Sequence, residues 1–376
     1  MRNEQYMDNT KIKVQSPGRI NFIGSHTDYN EGFVLPGAIN KTMVFELERN
    51  GTEKQVTVHA LNKKEQHQFL LDNLEHLDGG WQNYVIGVFA ELQKIVANLK
   101  GMDISFSGDV PIGSGLSSSA ALECGLAFGL NELFQLGIEK WDLIKASQRA
   151  EHNYVGTKCG IMDQFASMMG QKGHALLLDC RTLDYELIPA NFEGYKMLML
   201  NTNVSHNLAT SEYNVRRAAC EAGVTFFQNK YDNIQSLRDL SFDQFKVYRE
   251  ELPEDIQDCC HHVIKENERV LLAAEELKKG NLVAFGELIY QSHNSSRDYY
   301  HITCPEIDFL VDLSKEKDFI LGSRMMGGGF GGCTLNIIEE GKIDPFVEEA
   351  SKAYRDKFGI DLSPYVVSIE DGSKVV

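Results

Sequence analysis

A glycine- and serine-rich loop that runs directly into an apolar helix constrains this chain more than any other segment. It spans residues 110–123, Val-Pro-Ile-Gly-Ser-Gly-Leu-Ser-Ser-Ser-Ala-Ala-Leu-Glu. Gly113 and Gly115 open backbone torsions that are closed to residues with a Cβ atom, and they leave room for a ligand to touch the main chain. From Ala120 to Phe134 leucines recur near helical spacing, which predicts that the loop precedes a buried helix.

The serines of this loop lie where the helix is predicted to begin. Serine is a favoured N-cap residue, and the first turn of a helix presents unpaired N–H groups and a partial positive charge. We therefore expect an anion site formed by one run of residues: Gly113, Ser114, Gly115, Leu116, Ser117, Ser118 and Ser119. A capped helix after a tight turn, without a ligand, explains the glycines and serines equally well.

The loop differs from the two commonest nucleotide-binding motifs. It contains no Gly-x-x-x-x-Gly-Lys, and hence no Walker lysine, and no Gly-x-Gly-x-x-Gly. It resembles instead the Pro-x-x-x-Gly-Leu-Ser-Ser-Ser-Ala loop of the GHMP small-molecule kinases, a family that includes galactokinase, homoserine kinase, mevalonate kinase and phosphomevalonate kinase. The resemblance implies that this loop holds the phosphates of ATP.

A second dense segment, residues 16–30, mixes strand-forming residues with Arg19, His26 and Asp28. A cation and a carboxylate among glycines suit a loop that binds a polyhydroxylated ligand, although a surface hairpin with an ion pair has the same composition. The segment resembles the galactokinase signature Gly-Arg-x-Asn-x-Ile-Gly-Glu-His-Thr-Asp-Tyr-Asn. This resemblance implies sugar contacts from the following residues: Ser25, His26, Thr27 and Asp28.

Ser25 departs from the signature, which has glutamate at this position. By resemblance that glutamate accepts a hydrogen bond from the sugar hydroxyl on C6. Serine is shorter and uncharged, so we expect the loss of the bond to cost about 1–3 kcal/mol of sugar binding. The loss of a negative charge beside C6 would alternatively admit a uronic acid, and the sequence leaves both interpretations open.

A third segment carries a candidate general base. Asp163 follows Gly160 and precedes amphipathic residues, which predicts a position in the first turn of a helix, where the helix dipole favours an ionised carboxylate. An acid at a helix start without a catalytic role explains the same pattern. Gly-Ile-Met-Asp-Gln resembles the catalytic segment of galactokinases, and Glu151 lies twelve residues upstream of the aspartate, as in that family.

The resemblance assigns roles to these residues in a kinase that phosphorylates galactose at C1. Asp163 would accept the proton of the C1 hydroxyl, and Arg19 would stabilise the charge that develops between sugar and phosphate. The Ser119 hydroxyl and the Glu151 carboxylate would hold Mg²⁺ between the phosphates of ATP. Tyr213, in a family-like Ser-Glu-Tyr-x-x-Arg-Arg segment, would contact the sugar.

A third glycine cluster occupies residues 323–334, Ser-Arg-Met-Met-Gly-Gly-Gly-Phe-Gly-Gly-Cys-Thr. It contains Gly-x-Gly-x-x-Gly, but a strand rather than a helix is predicted to follow, which argues against a dinucleotide site. In the resembling kinases this loop lies beside the first two at the active site. Met326 stands where galactokinases usually have threonine, and it is the second departure from the family pattern.

Several segments between the motifs have predictable secondary structure. Residues 42–47 and 55–60 are predicted to form a β-hairpin around an Asn-Gly turn. Apolar residues at helical spacing predict helices over residues 81–99 and 141–155. Another helix is predicted to open within residues 205–217. A metal site at the run Cys-Cys-His-His is not expected, because consecutive helical residues point about 100° apart and cannot close on one ion.

The resemblance implies an α+β fold of two domains with the active site in the cleft between them. We place the N-terminal GHMP domain at residues 1–185 and the C-terminal GHMP domain at residues 186–376. The lead before Arg19 is expected to be shorter than in many galactokinases. Two alternatives stay open: a kinase for another sugar, galacturonate first, and a sugar and ATP sensor without activity. The presence of Arg19, Asp163 and the serine run favours catalysis.

Charge and composition limit the classes of partner that we expect. The formal net charge is −17 and no basic block offsets it, so we expect neither nucleic acid nor an anionic membrane as a partner. No run approaches the roughly eighteen apolar residues of a membrane helix, and the first residues lack the core of a signal peptide. We therefore expect a cytoplasmic monomer that binds a small sugar and ATP, with its eight cysteines reduced.

Overall fold

The computed structural model describes residues 10–205 and 209–376. The lead at residues 1–9 and the first part of the helix predicted within residues 205–217 lie outside the described residues. The remainder of that helix is present and runs from Ala209 to Gln228. Helices in the described part of the chain are all too short or too polar to span a bilayer.

The described chain folds into mixed helices and sheets. Its strands are β1 Lys11–Asn21, β2 Phe33–Val34, β3 Pro36–Arg49, β4 Gln55–Ala60, β5 Glu65–Leu70, β6 Met102–Gly108, β7 His174–Asp179, β8 Tyr185–Pro189, β9 Tyr195–Ser205, β10 Ile320–Met325, β11 Gly331–Glu339, β12 Ser363–Val367 and β13 Lys374–Val375. Its α-helices are α1 Gln82–Gln93, α2 Ser118–Phe134, α3 Lys140–Ala150, α4 Met162–Met169, α5 Ala209–Gln228, α6 Phe242–Tyr248, α7 Glu254–Lys278, α8 Leu282–Asp298, α9 Pro305–Lys315 and α10 Ile343–Phe358.

A six-stranded sheet in the order β13-β1-β3-β6-β4-β5 forms the N-terminal half. The predicted hairpin of residues 42–47 and 55–60 is wrong, because β6 lies between β3 and β4. The apolar strand β6 pairs Phe106 with Phe45 on one side and with Ala60 on the other. Strand β4 turns back into β5 instead, with Ala60 opposite Glu65.

Helix α2 packs closely on this sheet and carries the glycine and serine loop at its start. Gly125 makes the close approach possible, since a Cβ atom there would lie 2.3 Å from the Phe45 ring and 2.7 Å from the Cβ atom of Ser16. Several apolar residues of α2, including Leu126 and Leu130, are fully buried in the N-terminal core. The loop is therefore mounted on a helix that packing holds in place.

The helix predicted over residues 141–155 has an irregular end. Helix α3 stops at Ala150, and residues 151–155 continue as one π-helical turn that Gly156 ends with φ +90°. π-turns of this kind are frequent at functional sites, and this one carries Glu151. The helix predicted over residues 81–99 is shorter than expected, because α1 ends at Gln93.

The C-terminal half contains a second sheet, in the order β10-β11-β9-β12, and helices α5 to α10. A small sheet of β2, β7 and β8 lies between the halves, and strand β13 returns to pair with β1. The predicted domain boundary, at residues 185 and 186, falls at the start of β8 and stays a prediction.

One apolar core joins the two halves. Ile20 on β1 and Leu116 in the loop pack in it with Met326 and Leu335 from the C-terminal half. The three motif segments enter this region from different elements: β1 leads into the sugar signature, the loop precedes α2, and the third glycine cluster connects β10 to β11. The fold therefore brings together segments that lie some 300 residues apart in the chain.

Candidate active site

A cavity of about 340 Å³ opens where the two halves meet. It is lined by residues from every motif segment, among them Arg19, Ser25, His26, Asp28, Gly113, Gly115, Glu151, Asp163, Tyr213, Arg324, Met326 and the glycines 327–329, 331 and 332. The predicted site residues that do not line it are Thr27, Ser114, Leu116, Ser117, Ser118 and Ser119. The structure thus collects the predicted sugar, phosphate and catalytic segments around one space.

Arg19 and Asp163 form a bidentate ion pair in the wall of this cavity. Arg19 Nε donates to Asp163 Oδ1 at 2.8 Å, and Nη2 donates to Oδ2 at 2.7 Å. The third guanidinium nitrogen, Nη1, donates to the carbonyl of Gly115 at 2.5 Å. The arginine side chain is 4% exposed and the aspartate 25%, so the carboxylate is the member of the pair that a ligand can reach. Charge-assisted, paired hydrogen bonds fix both groups in orientation.

The phosphate loop, defined here as residues 113–119, is shaped by left-handed backbone. Gly113, Gly115 and Ser117 have φ of +72°, +78° and +58°. A Cβ atom on Gly115 would lie 2.5 Å from the carbonyl oxygen of Met326, so the third glycine cluster presses directly on this loop. Helix α2 begins at Ser118, and its first-turn N–H groups have no partner within the helix and suit an anion.

The serines of the phosphate loop do not act as expected of an N-cap. Ser117 occupies the N-cap position of α2, but its hydroxyl makes no capping bond. It donates instead to Asp163 Oδ2 at 2.5 Å. Ser114 is buried and donates to the carbonyl of Pro111 at 2.7 Å, which closes the turn before the helix. Leu116 is buried in the core that joins the two halves, so its predicted contact with a nucleotide is confined to the backbone.

A group of buried acids lies behind the phosphate loop. Gln164 donates its amide to Glu151 Oε2 at 2.9 Å and to Glu123 Oε2 at 3.2 Å. Burial, followed by the charge of Asp163, raises the pKa of Glu151 to about 7. Burial raises the pKa of Glu123 well above its usual value, and the negative charge of Glu151 adds to the shift. Bringing a cation to this wall would relieve the cost of ionising them.

The donor chemistry at this wall fits Mg²⁺. Glu151 lines the cavity, and Ser119 lies in the first turn of α2. Both offer the hard oxygen ligands that Mg²⁺ prefers, together with water and phosphate oxygens. Glu123 Oε1 and Gln164 Oε1 are buried without a hydrogen-bond partner among the described residues, which leaves unused acceptor oxygens beside Glu151.

The sugar loop, defined here as residues 24–28, places two titratable side chains at the cavity. His26 Nδ1 is 2.8 Å from the Tyr29 hydroxyl and its Nε2 is 3.1 Å from the Gly328 carbonyl. Burial, aided by His262, lowers the pKa of His26 to about 3, so the imidazole is neutral. Burial, followed by the charge of Asp163, raises the pKa of Asp28 to about 6.

Tyr213 and Thr27 have different positions relative to the cavity. The Tyr213 ring lies 4.8 Å from the His26 ring and lines the cavity, and its contact with the sugar stays a prediction. Thr27 is buried, and its hydroxyl donates to the carbonyls of Phe33 at 2.6 Å and Gly24 at 3.1 Å. Its side chain holds the sugar loop from behind and does not reach the cavity wall.

Three charged or polar residues that the sequence did not single out support the sugar loop. Glu266 on α7 is buried and accepts the N–H groups of Gly24 at 3.0 Å and Ser25 at 3.1 Å. His262, one turn earlier on α7, has its Nε2 3.0 Å from the Ser25 carbonyl. Arg324 on β10 is 1% exposed and donates to the Ser25 hydroxyl. The available signal was the four-residue spacing of the histidine and the glutamate, which puts both on one helix face.

Met326, the second departure from the family pattern, is a packing residue at this site. It is 1% exposed, and its sulfur accepts the backbone N–H of Asn21 at 3.1 Å. Gly327 follows it with φ +88°, and a Cβ atom there would lie 2.6 Å from the Cα atom of Gly115. The third glycine cluster therefore shapes the cavity by backbone contact.

Comparison with known proteins agrees with this arrangement. Residues 3–49 match the galactokinase galactose-binding signature. Residues 83–171 match the N-terminal domain of GHMP kinases, and residues 273–356 match their C-terminal domain. The matched ranges contain β1, the phosphate loop and the third glycine cluster.

Relatives resemble the chain over almost its whole length. The galactokinase of Thermotoga maritima is 41% identical over 361 residues, which cover 96% of this chain and 99% of that protein. The galactokinase of Clostridium beijerinckii is 42% identical, with coverage of 96% and 94%. The crystal structure of Lactococcus lactis galactokinase complexed with galactose superimposes with a TM-score of 0.94, at 35% identity and with coverage of 98% and 96%. Because sequence, fold and motif positions agree, the chain belongs to the galactokinase family of the GHMP kinases.

Proposed function

We propose that this chain transfers the γ-phosphoryl group of ATP to the C1 hydroxyl of galactose, giving galactose 1-phosphate and ADP. The observation that carries the proposal is the bidentate pair of Arg19 and Asp163, which lies in one cavity with the phosphate loop and the sugar loop. The similar Lactococcus lactis enzyme was solved complexed with galactose, which supports the choice of sugar.

Asp163 acts as the general base in this proposal. As the C1 oxygen attacks the γ-phosphorus, its proton passes to the aspartate carboxylate, the bond to the bridging oxygen breaks, and ADP leaves. Arg19 holds the carboxylate through two hydrogen bonds and keeps a fixed positive charge beside the reacting oxygens. Because Arg19 also donates to Gly115, the base is held at a set distance from the phosphate loop.

The phosphate loop and the acid wall bind the nucleotide. The backbone of residues 113–119 and the first turn of α2 offer N–H groups to the phosphates. Ser119 and Glu151 would hold Mg²⁺, which would neutralise phosphate charge when bound. Gln164 keeps the Glu151 carboxylate oriented toward the cavity through its 2.9 Å hydrogen bond.

The sugar loop orients the acceptor. Asp28 accepts hydrogen bonds from sugar hydroxyls, and the neutral imidazole of His26 presents one edge to the cavity while Tyr29 and Gly328 hold its nitrogens. Tyr213 covers the ring from α5. Ser25 and Arg324 form the wall on which the outer end of the sugar lies, with Arg324 supplying the donors.

The decisive experiment compares Asp163→Asn with a matched control. Release of ADP and formation of the sugar phosphate are followed with ATP, Mg²⁺ and galactose. We expect Asp163→Asn to reduce kcat by about 10²–10⁴-fold, because the amide cannot accept the proton, while nucleotide binding is retained. The control is Asp243→Asn. Its side chain is 90% exposed and lies on helix α6, outside the lining of the cavity.

A panel of sugars separates the remaining alternatives. We expect galactose to give the highest kcat/KM among galactose, galacturonate and 6-deoxygalactose. A higher kcat/KM for galacturonate than for galactose would contradict the proposed substrate. It would indicate that the wall formed by Ser25 and Arg324 binds a carboxylate. Absence of turnover by the unmodified protein with every sugar would support a sensor instead of an enzyme.

A further inference from the structure

The hydroxyl of Ser117 is used in a way that neither a phosphate contact nor a helix cap explains. Ser117 has φ +58° and ψ +52°, a left-handed conformation that glycine adopts freely and serine does not. Its neighbours Gly113 and Gly115, at similar φ, have no side chain. A side chain is therefore retained at a position where the backbone favours its removal, and strain of this kind concentrates at functional sites.

The Ser117 hydroxyl is committed to Asp163. It donates to Oδ2 at 2.5 Å, and Arg19 Nη2 donates to the same oxygen at 2.7 Å. An ionised carboxylate oxygen accepts two such bonds, so Oδ2 is saturated. Oδ1 accepts from Arg19 Nε at 2.8 Å, its one hydrogen bond within the described part of the chain, and so it keeps one acceptor position.

We propose that Ser117 is a positioning residue that saturates Asp163 Oδ2 and thereby assigns Oδ1 as the atom that takes the proton of the sugar hydroxyl. The inference rests on the proposed function. In the step itself the proton moves from the C1 oxygen to Oδ1 while that oxygen bonds to the γ-phosphorus, the bond from the γ-phosphorus to the bridging oxygen breaks, and ADP leaves with that electron pair. The Ser117 proton stays on its own oxygen. Rotation of the carboxylate about its axis is prevented by the serine on one side and the arginine on the other.

The same contact joins the base to the phosphate loop. Ser117 is the last residue before α2, and Arg19 reaches the loop a second time through the Gly115 carbonyl. The carboxylate is thus fixed to the element that holds the phosphates by two independent hydrogen bonds. The orientation of the Asp163 carboxylate therefore depends on the conformation of the phosphate loop.

The test uses Ser117→Gly, which removes the hydroxyl and also removes the backbone strain. We expect kcat with galactose to fall at least about tenfold, because Oδ2 then also has a free acceptor position and the sugar hydroxyl is directed to Oδ1 less often. KM for ATP is expected to change less than twofold, and the thermal midpoint is expected to stay or rise. Ser117→Ala, which keeps the strain, is expected to lose kcat to the same extent.

Gln135→Gly is the matched control. Gln135 caps the other end of the same helix with φ +50° and is exposed, so glycine there relieves the same kind of strain away from the cavity. We expect it to leave kcat unchanged. A Ser117→Gly enzyme with unchanged kcat would overturn the proposal, and so would a rise in the ATP KM at constant kcat, which would assign the hydroxyl to the nucleotide. Absence of galactose phosphorylation by the unmodified chain would contradict the proposed function and is recognised before any variant is made.

Discussion

The phosphate loop and the sugar loop border the same cavity as the Arg19 and Asp163 pair, and they are held in shape by different means. The phosphate loop is shaped by its own backbone, with positive φ at three positions and glycine contacts that exclude a Cβ atom. The sugar loop is shaped by side chains behind it: Glu266, His262 and Arg324 each bond to Ser25 or its neighbour.

Because the two loops are held differently, substitutions at different places are expected to affect them. The conformation of the phosphate loop depends on residues of the motif itself, since only particular residue types adopt its left-handed backbone conformation readily. The conformation of the sugar loop depends on buried charges more than 200 residues away in the chain. The first loop is expected to respond to changes within itself, and the second to changes in α7 and β10.

The largest effect is expected from Glu266→Gln, which removes the charge behind the sugar loop. Burial alone would raise the pKa of Glu266, but Arg269, His262 and Arg324 outweigh it and hold the pKa well below its usual range. Loss of the carboxylate leaves the arginines without their buried partner, so we expect the free energy of unfolding to fall by about 3–5 kcal/mol.

Chemical denaturation measures this change. Glu268→Gln is the control, because that residue lies on the same helix with a 49% exposed side chain and pairs with Lys265. We expect the control to be within about 0.5 kcal/mol of the unmodified protein. Equal losses for both variants would mean that the sugar loop does not depend on the buried charge.

The second effect tests the phosphate loop with a pair of glycines. Gly115→Ala meets both a positive φ and the Met326 carbonyl at 2.5 Å, whereas Gly113→Ala meets a positive φ with nothing within 4 Å of the new Cβ atom. We expect Gly115→Ala to lower kcat/KM for ATP at least tenfold more than Gly113→Ala does, because the third glycine cluster must move. Steady-state kinetics with varied ATP measure both variants. Equal losses of kcat/KM in the two variants would show that the close approach of Gly115 to Met326 does not matter for ATP use.

A third effect is expected at the wall formed by Ser25 and Arg324. Ser25→Glu places a carboxylate next to a guanidinium that now donates to a hydroxyl. We expect KM for galactose to fall by roughly tenfold, as a charge-assisted acceptor for the sugar is gained, with KM for ATP unchanged. Ser25→Ala is the control and is expected to leave the sugar KM unchanged or raised. A higher KM for galactose in the glutamate variant would mean that the wall has adapted to serine.

The sequence predicted best those parts of the site that depend on local backbone conformation. The three glycine-bearing segments were found because glycine spacing is visible in the chain, and the fold brings all three to one cavity. Pairing of distant strands is not visible in this way, so the hairpin prediction missed that β6 enters between β3 and β4. Glu266 and His262 were missed because a polar residue on an amphipathic helix looks like surface until its neighbours are known. The predicted sugar contact of Thr27 stays a prediction. Its side chain lies behind the sugar loop, and a motif does not tell which side chains face the cavity.

The smallest effect is a pH dependence of sugar binding that belongs to the sugar loop alone. Burial, followed by the charge of Asp163, raises the pKa of Asp28 to about 6, so the residue gains a proton as the pH falls through that value. A protonated carboxyl is a weaker acceptor for sugar hydroxyls, so we expect the dissociation constant for galactose to rise roughly fourfold between pH 7.5 and pH 5.5.

Calorimetric titration with galactose in the absence of nucleotide measures it, and Asp28→Asn is the control that should bind more weakly and show a smaller pH dependence in this window. His26 does not contribute, because its pKa is lowered to about 3, chiefly by burial. Glu151, with a pKa raised to about 7 by burial and by Asp163, titrates inside the same window, and the profile of the Asp28→Asn variant retains its contribution, so the difference between the two profiles isolates Asp28. If both proteins show the same dependence, the proton is taken up on the phosphate side, and the contrast between the two loops does not extend to their ionisation.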